Sequence, residues 1–160
     1  MNQRSSKAGK EQFRRFSYAV ALCGLAAVGC ASGQGASDGS KVSHGPVEIQ
    51  ILAPAANPPT SAWQCGPASG AFKICVSEEP ITLTGESAAR SVPWHIRTSG
   101  WTFVAGTGIT LNNHPGWSVQ PASPTNWVAH GQKDGATIKY TINVTNGTAT
   151  LTWDPRIINN

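Results

Sequence analysis

The sequence predicts an all-β fold, a two-sheet antiparallel β-sandwich, and three observations carry that expectation. From Pro46 onward the apolar residues recur with period two, no stretch of useful length shows a helical period, and the interruptions are Gly, Pro and Asn. With 17 Gly, 11 Pro, 12% charged residues and a single Met that is the initiator, the chain is poor in residues that build amphipathic helices. Eight or nine short strands in the roughly 115 residues after position 45 is the strand density of a sandwich. A chain of this length supports one domain that buries roughly 60–70% of its unfolded surface.

A separate segment precedes that domain. Residues 1–16 are basic and polar, and residues 17–29 (SYAVALCGLAAVG) form a small, apolar run that ends at Cys30. The run is too short to cross roughly 30 Å of hydrocarbon as a helix. A basic region followed by an apolar run of this length is the layout of a secretory signal, here residues 1–29. Within it, LAAVGC (residues 25–30) resembles the lipobox of bacterial lipoproteins, with Ala27 in the place three before the cysteine where that family carries Leu. The resemblance implies that Cys30 is diacylated and becomes the mature N-terminus, anchored to membrane at about 0.8 kcal/mol per buried methylene. Ala31, rather than Asp, after the cysteine implies the outer membrane if the host is Gram-negative. Ordinary cleavage within AVGCASG, giving a soluble secreted or periplasmic product, is the alternative. Arg14-Arg15 does not match twin-arginine export well, because Phe16 stands one place too early.

Residues 30–45 continue ASGQGASDGSKVSHG after the cysteine, rich in Gly, Ser and Ala and without an apolar period. This composition predicts a flexible tether with a reach of about 20 Å, in which His44 is solvated. The charge distribution points the same way. Five bases and one acid lie before residue 30, so the net charge of +4 belongs to the N-terminal segment and residues 30–160 hold seven bases and seven acids. A phosphate-binding domain needs a surplus of Lys and Arg, and the balance excludes nucleic acid as the expected partner.

In the domain, residues 46–160, VEIQIL (47–52) sets Val47, Ile49 and Ile51 on one face against Glu48 and Gln50. AFKICVS (71–77) sets Phe72, Ile74 and Val76 against Lys73, Cys75 and Ser77; Ile81 and Leu83 continue the alternation. VPWHIRT (92–98) turns Trp94 and Ile96 inward and His95 and Arg97 outward. Shorter strands are expected at 101–105, 109–112, 116–120 and 126–130. The strongest local signal is TIKYTINVTNGTATLTW (137–153), where Asn146-Gly147 predicts a two-residue type I′ turn. That turn sets Thr145 opposite Thr148, Val144 opposite Ala149, Ile142 opposite Leu151 and Tyr140 opposite Trp153. Lys139, Thr141, Asn143, Thr150 and Thr152 then share the wet face. DGATIKYTINVTNGTATLTW resembles the final hairpin of immunoglobulin-like bacterial envelope domains, which implies an immunoglobulin-like sandwich with Tyr140 in the place of a corner tyrosine. Pro155 is expected to end the strand, with Ile157 and Ile158 folding back over the sandwich edge.

Little in the chain points to catalysis. Cys65 and Cys75 bracket GPASGAFKI, and in an exported chain they are expected to form a disulfide worth about 2–3 kcal/mol; Cys23 falls within the signal. His95, His114 and His130 could meet Asp134 and Glu86, but no metal-binding spacing recommends a site, so no metal and no cofactor is expected. No nucleophile elbow, P-loop or dinucleotide fingerprint is present, and no pair of acids is nominated as a glycosidase couple. No catalytic residue is assigned. Six Trp are many for this length, and most are expected in the core. Trp63, before the cysteine loop, and Trp117, in NNHPGW, lie next to turns and are the two suspected of forming an exposed ligand platform. Sequons at Asn143 and Asn146 would matter only in a eukaryotic secretory route.

These readings converge on a non-enzymatic, lipid-anchored cell-envelope protein with a binding or assembly role. Its expected partners are the membrane, through the lipid, and an envelope protein or glycan. Carbohydrate or peptidoglycan recognition through Trp63 and Trp117 is one alternative. A small periplasmic hydrolase whose acids and histidines assemble only in three dimensions is another.

Overall fold

The computed structural model describes residues 42–112 and 114–160. The signal, Cys30 and the tether up to residue 41 lie outside the described residues. Every regular element among the described residues is a strand, as period-two patterning requires. One sheet has the spatial order β3 (Gln64–Cys65), β4 (Lys73–Val76), β2 (Val47–Leu52), β6 (Ala89–Ile96), β10 (Asn126–Gln132) and β9 (Ser118–Ser123), with β1 (Val42–Ser43) also beside β6. The other is built on β11 (Thr137–Thr145). Along one side of it lie β12 (Thr150–Trp153) and β13 (Arg156–Asn159), then β5 (Ile81–Leu83). Along the other side lie β7 (Thr102–Phe103) and β8 (Ile109–Leu111).

Both sheets are mixed, which corrects the expectation of purely antiparallel strands. β1 and β2 run parallel to β6, and β5 runs parallel to β13. These are pairings between segments far apart in the chain. Alternation determines which face of a strand is buried but says nothing about the direction of a distant partner.

The faces are as the alternation predicts. Val47, Ile49, Ile51, Ile74, Val76, Ile81, Leu83, Trp94 and Ile96 are all buried, and they belong to one core shared by the two sheets. Aromatic contacts cross between the layers: Trp94 of β6 meets Tyr140 of β11 with ring centroids 5.3 Å apart, and Phe103 of β7 meets Trp127 of β10 at 5.7 Å. Pro93 sits mid-strand in β6 without an N–H to donate. The pairing with β6 shifts by one residue between Ser43↔Ser91 and Val47↔Trp94, so the proline lies at the irregularity between β1 and β2, where a lost ladder bond costs least.

The final hairpin keeps its predicted faces but slips by two residues in register. Thr145 pairs with Thr150, Val144 with Leu151 and Ile142 with Trp153, leaving a four-residue loop over 146–149. Asn146 closes this loop through its side chain: Oδ1 accepts from Thr148 N–H at 3.0 Å and Ala149 N–H at 2.8 Å, while Gly147 N–H donates to Thr145 Oγ1 at 3.0 Å. A slip of two conserves the buried set, so hydrophobic patterning alone does not oppose it, and the Asx-type bonds decide the outcome. Gly147 takes a φ of 86°, the left-handed region that glycine enters without strain.

β12 ends at Trp153, just before Pro155, as expected, but the chain does not leave the sheet there. β13 resumes pairing with β11 in the same register, Lys139 with Arg156 and Thr137 with Ile158, and Tyr140 N–H donates to Pro155 O at 3.0 Å. Only the positions around the proline lose their ladder. Ile157 is buried between β11 and β5 rather than folded over an edge. The first strand is also unexpected: Val42–Ser43 lies within the segment read as tether. His44 is not simply solvated, since Nδ1 contacts Gly45 O at 2.6 Å and Nε2 lies 3.1 Å from Glu78 Oε2.

Candidate functional site

The registers sort the loops onto two ends of the domain. The chain enters β1 opposite Arg90, at the start of β6. The loops 84–88 and 132–136 and the turn containing Gly116 gather there, with the last residues of β13. At the other end lie the loop 53–63, the loop 97–101, the turn 124–125 and the hairpin tip 146–149.

The entry end is built around a buried cation. Arg90 falls on the inward phase of β6, with Val92, Trp94 and Ile96, and is only 2% exposed. Its guanidinium donates to Gly85 O and Asn160 O at 2.8 Å each, to Thr84 O at 3.4 Å and to Asn159 Oδ1 at 3.3 Å. Asn159 is likewise buried, and its Nδ2 donates to Gln132 O and Asp134 Oδ1, both at 2.7 Å. Asp134 Oδ1 accepts in addition from Ala136 N–H at 2.9 Å, and Oδ2 lies 2.6 Å from His114 Nε2. The asparagine therefore relays between a cation and a carboxylate that do not touch. Together the four side chains tie three loops to the end of β13.

Burial works against the Asp134 carboxylate, but hydrogen bonds from His114, the Ala136 N–H and Asn159 outweigh it and hold its pKa below the ordinary value of 3.8. A carboxyl depressed in the folded state contributes stability above its unfolded pKa and loses it as the pH falls through the folded one. Asp134→Asn is accordingly expected to lower stability at neutral pH, with a deficit that closes as the pH drops below about 4. Denaturant midpoints across pH check this, and a deficit that stays constant into acid would show that the charge is not what matters.

An ionised Asp134 can only accept, so the His114 ring donates to it through Nε2. That is the base-and-orienter half of a catalytic triad, but among the described residues no Ser, Thr or Cys side chain hydrogen-bonds to His114. The other histidines are dispersed. His95 lies 3.5 Å from Glu48, which also holds Arg97 with both oxygens, on the outer face of the first sheet. His130 is exposed in β10 and lines a 260 Å³ dimple with Gly116, Gly131 and Gln132. Glu86 reaches only Lys133, at 3.8 Å. Among the described residues no three His, Cys, Asp or Glu side chains stand close enough to hold a metal ion.

Cys65 and Cys75 are joined as a disulfide between directly opposed residues of β3 and β4, with Cα atoms 4.0 Å apart. Trp94, Trp101 and Trp127 are buried, whereas Trp63, Trp117 and Trp153 are half-buried. Trp117 packs its indole where a Cβ on Gly131 would stand, and its Nε1 is buried without a hydrogen-bond partner. Among the described residues the buried Tyr140 hydroxyl makes no hydrogen bond to the backbone, so the bond that defines a tyrosine corner is not made, and burial pushes its phenol pKa far up.

At the far end a groove of about 520 Å³ opens between β9 and the loop after β7, lined by Phe103, Ala105, Pro121, Ala122, Pro124 and Trp127, with Thr102 and Ser123 as its polar side chains. Phe103 N–H donates to Pro124 O at 2.8 Å, joining the two sheets beside it. Neither this groove nor the Arg90 network was anticipated. The signal for Arg90 was present: extending the 92–98 alternation back by two residues puts an arginine on the buried phase. The groove has no local signal, because it forms between segments from different sheets. No protein-family model matches the chain, and no curated protein matches it.

Proposed function

We propose that the chain is a lipid-anchored cell-envelope protein, and that its immunoglobulin-like β-sandwich serves as a non-enzymatic binding or assembly module. The observation that carries this reading is LAAVGC at residues 25–30, set after a basic, apolar leader and before a Gly/Ser-rich tether. The polar chemistry of the domain supports the non-catalytic half. Arg90, Asn159 and Asp134 spend their hydrogen bonds on one another and on backbone, tying loops together. Glu78 and Glu79 do the same, to the Thr82 and Arg156 N–H groups. An acylated Cys30 would join the domain through residues 31–41, which lead into β1 at its entry end. The test is fractionation. The parent chain is expected in the membrane fraction, resisting a high-salt wash and released by detergent, while Cys30→Ala shifts to the soluble fraction. A parent found soluble, or a Cys30→Ala variant that stays membrane-bound, overturns the proposal.

A further inference from the structure

The end of the domain away from the tether is free of charge in its sequence as well as apolar in its groove. Segments 53–72, 98–112, 118–129 and 140–153 contain no Asp, Glu, Lys, Arg or His. The two charged residues that border this end are occupied: Lys73 Nζ donates to Pro54 O at 2.8 Å, and Arg97 is held by both oxygens of Glu48. The ionic groups collect instead toward the tether, at Glu78, Glu79, Glu86, Arg90, Lys133 and Asp134.

We infer that this charge-free end is an interaction surface, and that the groove beside Phe103 and Trp127 receives an uncharged, apolar peptide segment of a neighbouring envelope protein. The inference deepens the binding role proposed above and rests on it. Electrical complementarity selects the occupant. A charged group entering the groove would lose its hydration and find no charged side chain, only the Thr102 and Ser123 hydroxyls and backbone groups, whereas an aliphatic side chain has no such loss and gains from leaving water. The volume lies within the roughly 300–1,000 Å³ typical of pockets that enclose a ligand. A glycan fits less well. Phe103 and Trp127 are each only 4% exposed, so neither offers a free ring face for a sugar to stack on. Strand addition is also disfavoured, because Pro121 in the outermost strand β9 blunts that edge. Side-chain insertion between the proline-bearing rim and the loop at Ala105 is left as the mode of contact.

The test uses the full chain in detergent micelles, carrying fluorine-labelled tryptophan, with the Trp127 resonance assigned by its loss in Trp127→Phe and protein-free micelles as the blank. Three probes are titrated: acetyl-Gly-Leu-Val-Leu-Gly-amide, the same peptide with Lys in place of both Leu, and chitotriose. The neutral peptide is expected to shift the Trp127 resonance saturably and independently of added salt, and the other two are expected to leave it in place. Ala122→Glu, on the exposed groove wall, is expected to weaken the neutral peptide by about tenfold or more while the remaining tryptophan resonances stay unchanged. An unmoved Trp127 resonance, an equal response in Ala122→Glu, or a response to the lysine peptide or the sugar overturns the inference. So does a Trp127 shift that follows protein concentration without any probe, which would make a second copy the occupant. None of these readouts depends on whether Cys30 is acylated, so failure here and failure of the anchoring proposal are distinguishable.

Discussion

Replacing Arg90 by alanine is expected to cost about 2–3 kcal/mol of unfolding free energy, the scale of losing the hydrogen bonds of a buried charged group. The guanidinium is 2% exposed and satisfies four acceptors: three backbone carbonyls and the Asn159 side chain. Its removal leaves the buried Asn159 Oδ1 without that donor and cuts the ties to the Thr84, Gly85 and Asn160 carbonyls, which belong to exposed residues that water can reach. Arg97→Ala is the matching control. Arg97 is exposed and paired with Glu48 at the surface, so its loss is expected to stay within about 1 kcal/mol. Urea unfolding of both variants at neutral pH measures the difference. Equal small effects would show that the Arg90 network does not hold the entry end together.

Trp94→Ala is expected to be more damaging, at about 3–5 kcal/mol, for a different reason. The indole is 1% exposed in the central strand β6 and packs 5.3 Å from Tyr140 of the opposite sheet. Its deletion opens a cavity where the two layers meet. Tyr140→Phe separates packing from polarity at the same place. Among the described residues the tyrosine hydroxyl has only the Trp94 indole as a polar neighbour and makes no well-formed hydrogen bond, so replacing it by hydrogen is expected to change stability by no more than about 1 kcal/mol. A large loss in Tyr140→Phe would mean that the hydroxyl is bonded after all, and a loss below about 1 kcal/mol in Trp94→Ala would mean that the sheets close over the gap.

The sequence was most informative where a local rule and burial coincide. Ile49, Trp94 and Ile142 lie inside because period two and the demand for a core agree on one face. The same rule was blind to a shift of two residues. The hairpin therefore slid until the Asn146 carboxamide could cap its loop, and no hydrophobic residue changed sides. Pro155 ends β12 but not the pairing, because a proline interrupts a ladder only at its own missing donor, and β11 supplies a partner on both sides of that gap, so Ile157 and Ile158 rejoin the sheet instead of covering its edge. Strand direction was out of reach for a further reason. The parallel pairing of β5 with β13 joins residues more than seventy positions apart, and alternation carries no information about such partners. The site divides similarly. The Cys65–Cys75 pair was legible from two cysteines bracketing a short turn-rich loop in a chain read as exported, whereas Asn159 acquires a role only because β13 delivers it beside Arg90 and Asp134.

Mass spectrometry of the mature N-terminus, on protein extracted from the membrane fraction, is the measurement on which the anchored-module reading turns most directly. The expected result is a first residue at Cys30 carrying lipid on its side chain, with residues 31–41 of the tether attached. An unmodified N-terminus downstream of Cys30 would contradict it.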